Sequence, residues 1–297
     1  MQQGLENVLR AAVKQGVSRF VHLSIVAVYG DHPGPECSTE DAPARRTDLE
    51  YGNEKLEQEQ RLARCARRHG LPAVILGAPN VYGPNSPFTT GLISKLRTGR
   101  MAIVDEGHNP CNLVYVDNLV ESIFLALYKP RVAGHTFFIT DSEAVPWARC
   151  VMDHAALCQN RPLRVTSTEL WPVPPERPFR ESFRMLPRVL LSGEIRAILR
   201  QIPLVRLLES HMYSWFLSFS EDTQTRIRLL INGPVQIRTQ EANGHGVDPR
   251  DGLISAQRRA TRHSSKKAQR LLGYTAPVSY TAGMALTAAW LRYARIV

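Results

Sequence analysis

Apolar positions along the chain alternate between two periods. Over residues 2–15, Leu5, Val8, Leu9, Ala12 and Val13 recur at helical spacing and Gly16 supplies a stop, which predicts a helix. Val17 to Ser24 is almost continuously apolar and reads as a buried parallel strand that runs on into Ile25-Val-Ala-Val-Tyr-Gly30. A polar loop rich in Pro, Asp and Glu is expected over residues 31–50. A polar helix follows from Tyr51 to about His69, then a strand from Pro72 to Leu76 that ends in Pro79-Asn-Val-Tyr-Gly-Pro84. Phe88 to Leu96 predicts a short helix. Asn112 to Asn118 leads into a helix through Tyr128 with Asp117 as its N-cap. His135 to Thr140 predicts a strand, and Pro146 to Leu157 a helix with proline in its first turn. Such alternation argues for an α/β fold with a doubly wound parallel sheet, which binds ligands at the carboxyl ends of its strands. Both Val-Tyr-Gly segments, 28–30 and 81–83, are expected there, with the glycines allowing a tight exit.

Beyond residue 160 the pattern changes. Arg184 to Leu208 is basic and apolar with near-helical spacing, and Tyr213-Ser-Trp-Phe-Leu follows. It reads either as a helical cap over a substrate pocket or as an amphipathic surface in peripheral contact with an anionic membrane. Residues 236–264 are polar and read as a flexible loop. Lys266 to Leu272 with Gly273, and Tyr280 to Tyr293, predict two closing helices. The expected organisation is a region over 1–160 and a smaller, mostly helical one over 161–297, partly interleaved with the first.

Charge adds an asymmetry. The formal net charge is +10, yet residues 1–150 hold 16 basic and 16 acidic side chains, so the whole excess lies after residue 150. That excess fits a solvated surface, an acidic membrane surface or a phosphate-bearing substrate. It does not suggest nucleic acid, because the basic residues lack interleaved aromatics or a known binding module. Five cysteines, odd in number and widely spaced, suggest free thiols in a reducing compartment and no metal site. No apolar window of about 20 residues is available to span a bilayer, so a cytoplasmic protein, at most peripheral to a membrane, is expected.

The candidate chemistry centres on Tyr51-Gly-Asn-Glu-Lys55. Residues four apart share a helix face, so the Lys55 ammonium can lower the Tyr51 phenol toward a working acid/base range while its other donors reach a sugar hydroxyl. With the strand runs on either side, these residues resemble the extended short-chain dehydrogenase/reductase family, which includes nucleotide-sugar epimerases and dehydratases and 3β-hydroxysteroid dehydrogenases. The resemblance covers about Gln2 to Thr140, with a looser echo near Leu272. It implies a Rossmann-like dinucleotide-binding domain and an NAD or NADP cofactor. In its terms Tyr51 is the acid/base in hydride transfer to or from a secondary alcohol or ketone, and Lys55 holds the nicotinamide ribose. Pro79, Asn80 and Val81 lie against the nicotinamide, and Asn80 touches substrate. The small-molecule substrate is either a steroid or lipid-like alcohol or a nucleotide sugar. The Tyr-Val-Asp-Asn element at 115–118 serves architecture in such relatives.

Four positions depart from the family pattern. The usual Ser or Thr that holds the substrate oxygen falls at Ile25, and its neighbour Ser24, the remaining candidate for substrate contact, should face the other way. An arginine common in relatives is replaced by Gly77. Sugar-dehydrating relatives carry acids where Val26 and Ala27 stand, which makes dehydration the least favoured chemistry. The glycine-rich first turn that holds the pyrophosphate is not found either. The chain thus reads as a partial Rossmann-like sheet, its N-terminal half missing: an N-terminally truncated product, or a degenerate, inactive paralogue acting in binding or as a scaffold. In the second case its open sheet edge would pair with another chain, as in a homodimer.

Overall fold

In the computed structural model, which describes residues 2–30, 33–46, 50–170, 246–249 and 251–297, the chain runs α1 (Gln2–Gln15), β1 (Phe20–Ile25), α2 (Glu50–His69), β2 (Ala73–Ala78), β3 (Asn80–Tyr82), α3 (Pro87–Arg97), β4 (Ala102–Val104), β5 (Leu113–Tyr115), α4 (Val116–Tyr128), β6 (Thr136–Phe138), α5 (Trp147–Cys158), β7 (Leu163–Val165), α6 (Ser167–Leu170), α7 (Gly252–Ser255), α8 (Lys266–Leu272) and α9 (Tyr280–Tyr293). The basic stretch of residues 184–217 lies outside the described residues. No helix among those described is long and apolar enough to cross a membrane.

β1, β2 and β6 pair in parallel in the order β1-β2-β6, with Ser24 opposite Gly77 and Ile25 opposite Ala78. Alternate residues of a strand serve opposite faces. On β2, Ala73 and Ile75 pack with Leu9, Ala12 and Leu62 of α1 and α2. Val74, Leu76 and Ala78 pack with Leu119 and Ala126 of α4 and with Ala268 and Leu272 of α8. The sheet is therefore covered on both faces, as the doubly wound reading expects. Two short parallel ladders, β3 with β5 and β4 with β7, extend the architecture. They lie over a second core built on Tyr82, Leu92, Leu96, Tyr115, Trp147 and Tyr280.

Both edges of the three-stranded sheet carry a charged cap. The Phe20 amide donates to the Pro72 carbonyl, so Phe20, His22 and Ser24 direct their backbone groups toward β2, whereas Leu23 directs its own outward. That outward carbonyl accepts a hydrogen bond from Lys55 Nζ at 3.1 Å. On the far edge, the Phe138 amide donates to the Glu40 carboxylate at 2.6 Å. Burial raises the Glu40 pKa, and the bond from Phe138 partly opposes that rise.

Most expected elements stand within a few residues of their predicted limits, and Gly30 and Gly83 leave their segments at φ 116° and 130°, as a tight exit requires. Two expectations are corrected. Asp117 does not cap α4: it lies inside the first turn, and the N-cap position is Tyr115. The Tyr115 amide is instead satisfied by the Asp141 carboxylate, at 3.1 and 3.2 Å, and Asp141 also accepts from Asn118. The described part of residues 236–264 is not a loose loop, because amide side chains tie it down. Gln257 bonds the backbone of Ala102 and Val104 on β4, and Asn112 bonds the backbone of both Thr261 and His263.

A Cβ at Gly283 of α9 would lie 2.6 Å from the Tyr82 hydroxyl and 2.8 Å from the Tyr115 ring. Gly283→Ala should therefore lower the free energy of unfolding in urea by about 1–3 kcal/mol through overpacking. His263, 4% exposed, bonds the Cys37 carbonyl through Nδ1 and meets the Phe138 ring edge-on. Burial drops its pKa from 6.5 to about 4. A base depressed in the fold stabilises fully above pH 6.5 and loses that contribution as pH falls through 4, a cost of roughly 3 kcal/mol. The melting temperature should fall across that window, and less steeply in His263→Gln.

Candidate active site

The first turn of α2 stands beside the carboxyl end of β1. Tyr51 is its second residue and remains 56% exposed, so the phenol reaches solvent. Lys55, one turn on, turns inward to the Leu23 carbonyl, which spends one of its three N–H donors. A further turn along the same face is Glu59, whose carboxylate accepts a hydrogen bond from Ser24 Oγ.

Beneath this face the sheet carries a buried polar cluster. His22 and Ser24 alternate onto the α2 side of β1 and are 8% and 2% exposed. His22 has its pKa lowered to about 4, first by burial and then by the Lys55 charge, so its ring is neutral at physiological pH. Its Nε2 has no hydrogen-bond partner among the described residues. Burial raises the Glu59 pKa, while the Ser24 hydroxyl and the Lys55 ammonium both act to lower it. Neither His22 nor Glu59 was singled out from sequence. The signal was there in two periods: 22 and 24 share a strand face, and 51, 55 and 59 share a helix face.

Ile25 ends β1 half-buried, packed with Val28, Tyr29, Leu56 and Phe138. No hydroxyl stands at that point, and the Ser24 hydroxyl is directed at Glu59. Gly77, across from Ser24, sits tightly against its neighbour, since a Cβ there would meet the Phe138 ring at 3.2 Å. An arginine could not be accommodated without moving that ring.

Pro79, Asn80 and Val81 continue directly from the end of β2, level with the end of β1. All three are half-buried. The Asn80 amide donates to the Asn112 carbonyl at 3.1 Å, and the Asn80 side chain bonds the Cys111 thiol. The Val81 carbonyl accepts from Ser86 Oγ at 2.7 Å, a hydroxyl that also caps α3 through the Thr89 amide. These bonds fix the segment's backbone where it crosses the mouth of the sheet. The first turn of α2 and the segment 79–81 are thus gathered at the same end of the sheet, where parallel α/β folds take ligands.

Known proteins resemble this chain in sequence or in fold. The chain is 29% identical over 177 residues to UDP-glucose 4-epimerase of Vibrio cholerae, covering 57% of this chain and 52% of that protein. It is 27% identical over 156 residues to 3beta-hydroxysteroid-dehydrogenase/decarboxylase isoform 2 of Arabidopsis thaliana, covering 48% of this chain and 28% of that one. The chain spans about half the length, or less, of the curated relatives it matches. Among solved structures, UDP-glucuronic acid 4-epimerase from Bacillus cereus, in complex with UDP-glucuronic acid and NAD, superposes with a TM-score of 0.58 at 15% identity, covering 98% of this chain and 66% of that one. That likeness establishes a Rossmann-like α/β fold. The family description NAD dependent epimerase/dehydratase matches residues 2–139, the segment that contains α1, β1, the Tyr51/Lys55 face and the crossing at 79–81. Over those residues, just under half of the chain, the sequence resembles the NAD dependent epimerase/dehydratase family.

Proposed function

We propose that this chain acts as an NAD(P)-dependent oxidoreductase on a secondary alcohol or ketone, with Tyr51 as acid/base and Lys55 as its cationic partner. One arrangement supports the reading: an exposed phenol and an ammonium stand one turn apart on α2, whose first turn lies at the same end of the sheet as Pro79, Asn80 and Val81. The nicotinamide-ribose end of a dinucleotide fits these groups, since Lys55 keeps two donors beyond the one given to Leu23. A glycine-rich turn for the pyrophosphate is not among the described residues, and that half of the cofactor is not assigned. The cofactor, when bound, supplies or takes up hydride. Tyr51 gives or takes the proton at the substrate oxygen, and Lys55 orients the ribose and stabilises the phenolate. Ser24 can join only by leaving Glu59, and the Asn80 side chain only by leaving the Cys111 thiol.

For the substrate we favour a nucleotide sugar, the class named for the Vibrio cholerae and Bacillus cereus relatives. The case for a steroid or lipid-like alcohol rests on residues 184–217, outside the described part of the chain. Epimerisation or simple oxidation is preferred over dehydration, because Val26 and Ala27 offer no acid. A second reading, an inactive binding or scaffold protein, draws on Ile25, whose side chain fills the apolar cluster where a hydroxyl would be needed.

Calorimetry with NAD and with NADP, followed by turnover of UDP-glucose monitored through nicotinamide fluorescence, separates the two. The oxidoreductase reading expects saturable cofactor binding. Tyr51→Phe should then retain that binding and lose about 10²–10⁴ in turnover, while Lys55→Met weakens cofactor affinity as well. Ile25→Thr, which adds a donor near the substrate oxygen, should raise kcat. Absence of heat with both cofactors would leave the scaffold reading standing.

A further inference from the structure

Away from that end of the sheet, α1 and α2 enclose a groove of about 530 Å³. Its floor is apolar, formed by Leu9, Val13 and Cys65, and its walls are cationic. Arg10 and Lys14 line one wall, and Arg61, Arg64, Arg68 and His69 the other. Glu6 is the only carboxylate among the lining residues and is already paired with Arg61. Histidine aside, the lining carries a net charge of +4. Lys14, Arg68 and His69 lie in the last turns of their helices, where cations offset the helix dipole. That explanation does not extend to Arg10, Arg61 and Arg64, which sit one to two turns further in yet line the same groove. Like charges gathered in a concavity repel one another until an anion enters.

We propose that this groove is a binding site for a small soluble oligophosphate, an anion with two or three phosphate groups in a row. Four of its five cations are arginines, whose guanidinium forks match phosphate oxygens two at a time. With a rise of about 1.5 Å per residue, the cations of α2 extend over roughly 10 Å and those of α1 over roughly 6 Å, two facing rows suited to a chain of charges rather than to a single ion. The volume is that of a small-molecule site. No Phe, Tyr or Trp lines the groove, so it lacks the broad ring platforms that single-strand binders use, and single-stranded nucleic acid is the poorer fit.

The test is calorimetric titration of the full chain with inorganic tripolyphosphate at low salt. One saturable site is expected. Arg64→Gln combined with Arg68→Gln should weaken it by about tenfold or more, and added salt should weaken the wild type in the same sense. Both arginines are exposed, so the fold should survive, as circular dichroism would check. A control pair on α8, Lys266→Gln with Arg270→Gln, removes the same charge elsewhere and should leave the affinity unchanged. An equal loss in both pairs would mean diffuse attraction by a basic protein and would overturn the site. So would the lack of a saturable signal, including the case in which the chain sediments with phosphatidic acid vesicles while ignoring tripolyphosphate.

Discussion

Ser24 pairs with Gly77 and Ile25 with Ala78, so β1 and β2 end at the same level, and the first turn of α2 and the segment 79–81 meet there. The side-chain period of a strand is two, so a slip of one residue would exchange the faces of β1. His22 and Ser24 would move to the α4 side, and Val21 and Leu23 would press on α2. Glu59 would then be a half-buried carboxylate without the Ser24 hydroxyl. The register is held by apolar packing on both faces of β2, which sorts Ala73 and Ile75 from Val74, Leu76 and Ala78. The position of the site is thus a consequence of how methyl groups divide between two layers of helices.

On that frame the α2 face of β1 holds an unusual concentration of polar groups. Histidine, serine, glutamate and lysine share a region in which burial opposes charge on both His22 and Glu59. Polar groups in a low-dielectric interior are costly when unpaired and strongly orienting when paired. The Lys55 ammonium acts on both neighbours in the direction its charge dictates, keeping His22 neutral and favouring ionised Glu59. The cluster fixes the lysine from below while Tyr51 above it stays in solvent.

How far all this was legible depended on the range of the interaction. Helices α1 and α9 declare themselves through apolar spacing, α1 stopping just before Gly16 and α9 at Tyr293, while the polar α2 is legible between its opening Tyr51 and about His69. β1 and β2 follow from continuous apolar runs. The three-residue strands β3, β4 and β7 carry no such signal, because each exists through a partner far away in sequence. Asp117 looked like a cap on local grounds, but the carboxylate that reaches the Tyr115 amide comes from Asp141, after β6. Residues 251–264 look loose by composition and are held by Asn109, Asn112 and Gln257, whose amides meet backbone groups some 150 positions distant. The Tyr51/Lys55 pair was visible because it is local. The Ser24 to Glu59 bond was not, because it needs strand and helix faces read together.

The Leu23 carbonyl has one further implication. It belongs to the outer row of acceptors along β1, the row that an additional neighbouring strand would use to join the ladder. Such a strand and the Lys55 ammonium would compete for one oxygen, so lengthening the sheet on that side would evict the lysine and return its full set of donors to the mouth where Tyr51 stands. The boundary of the sheet and the supply of positive charge at that mouth are therefore two readings of a single bond.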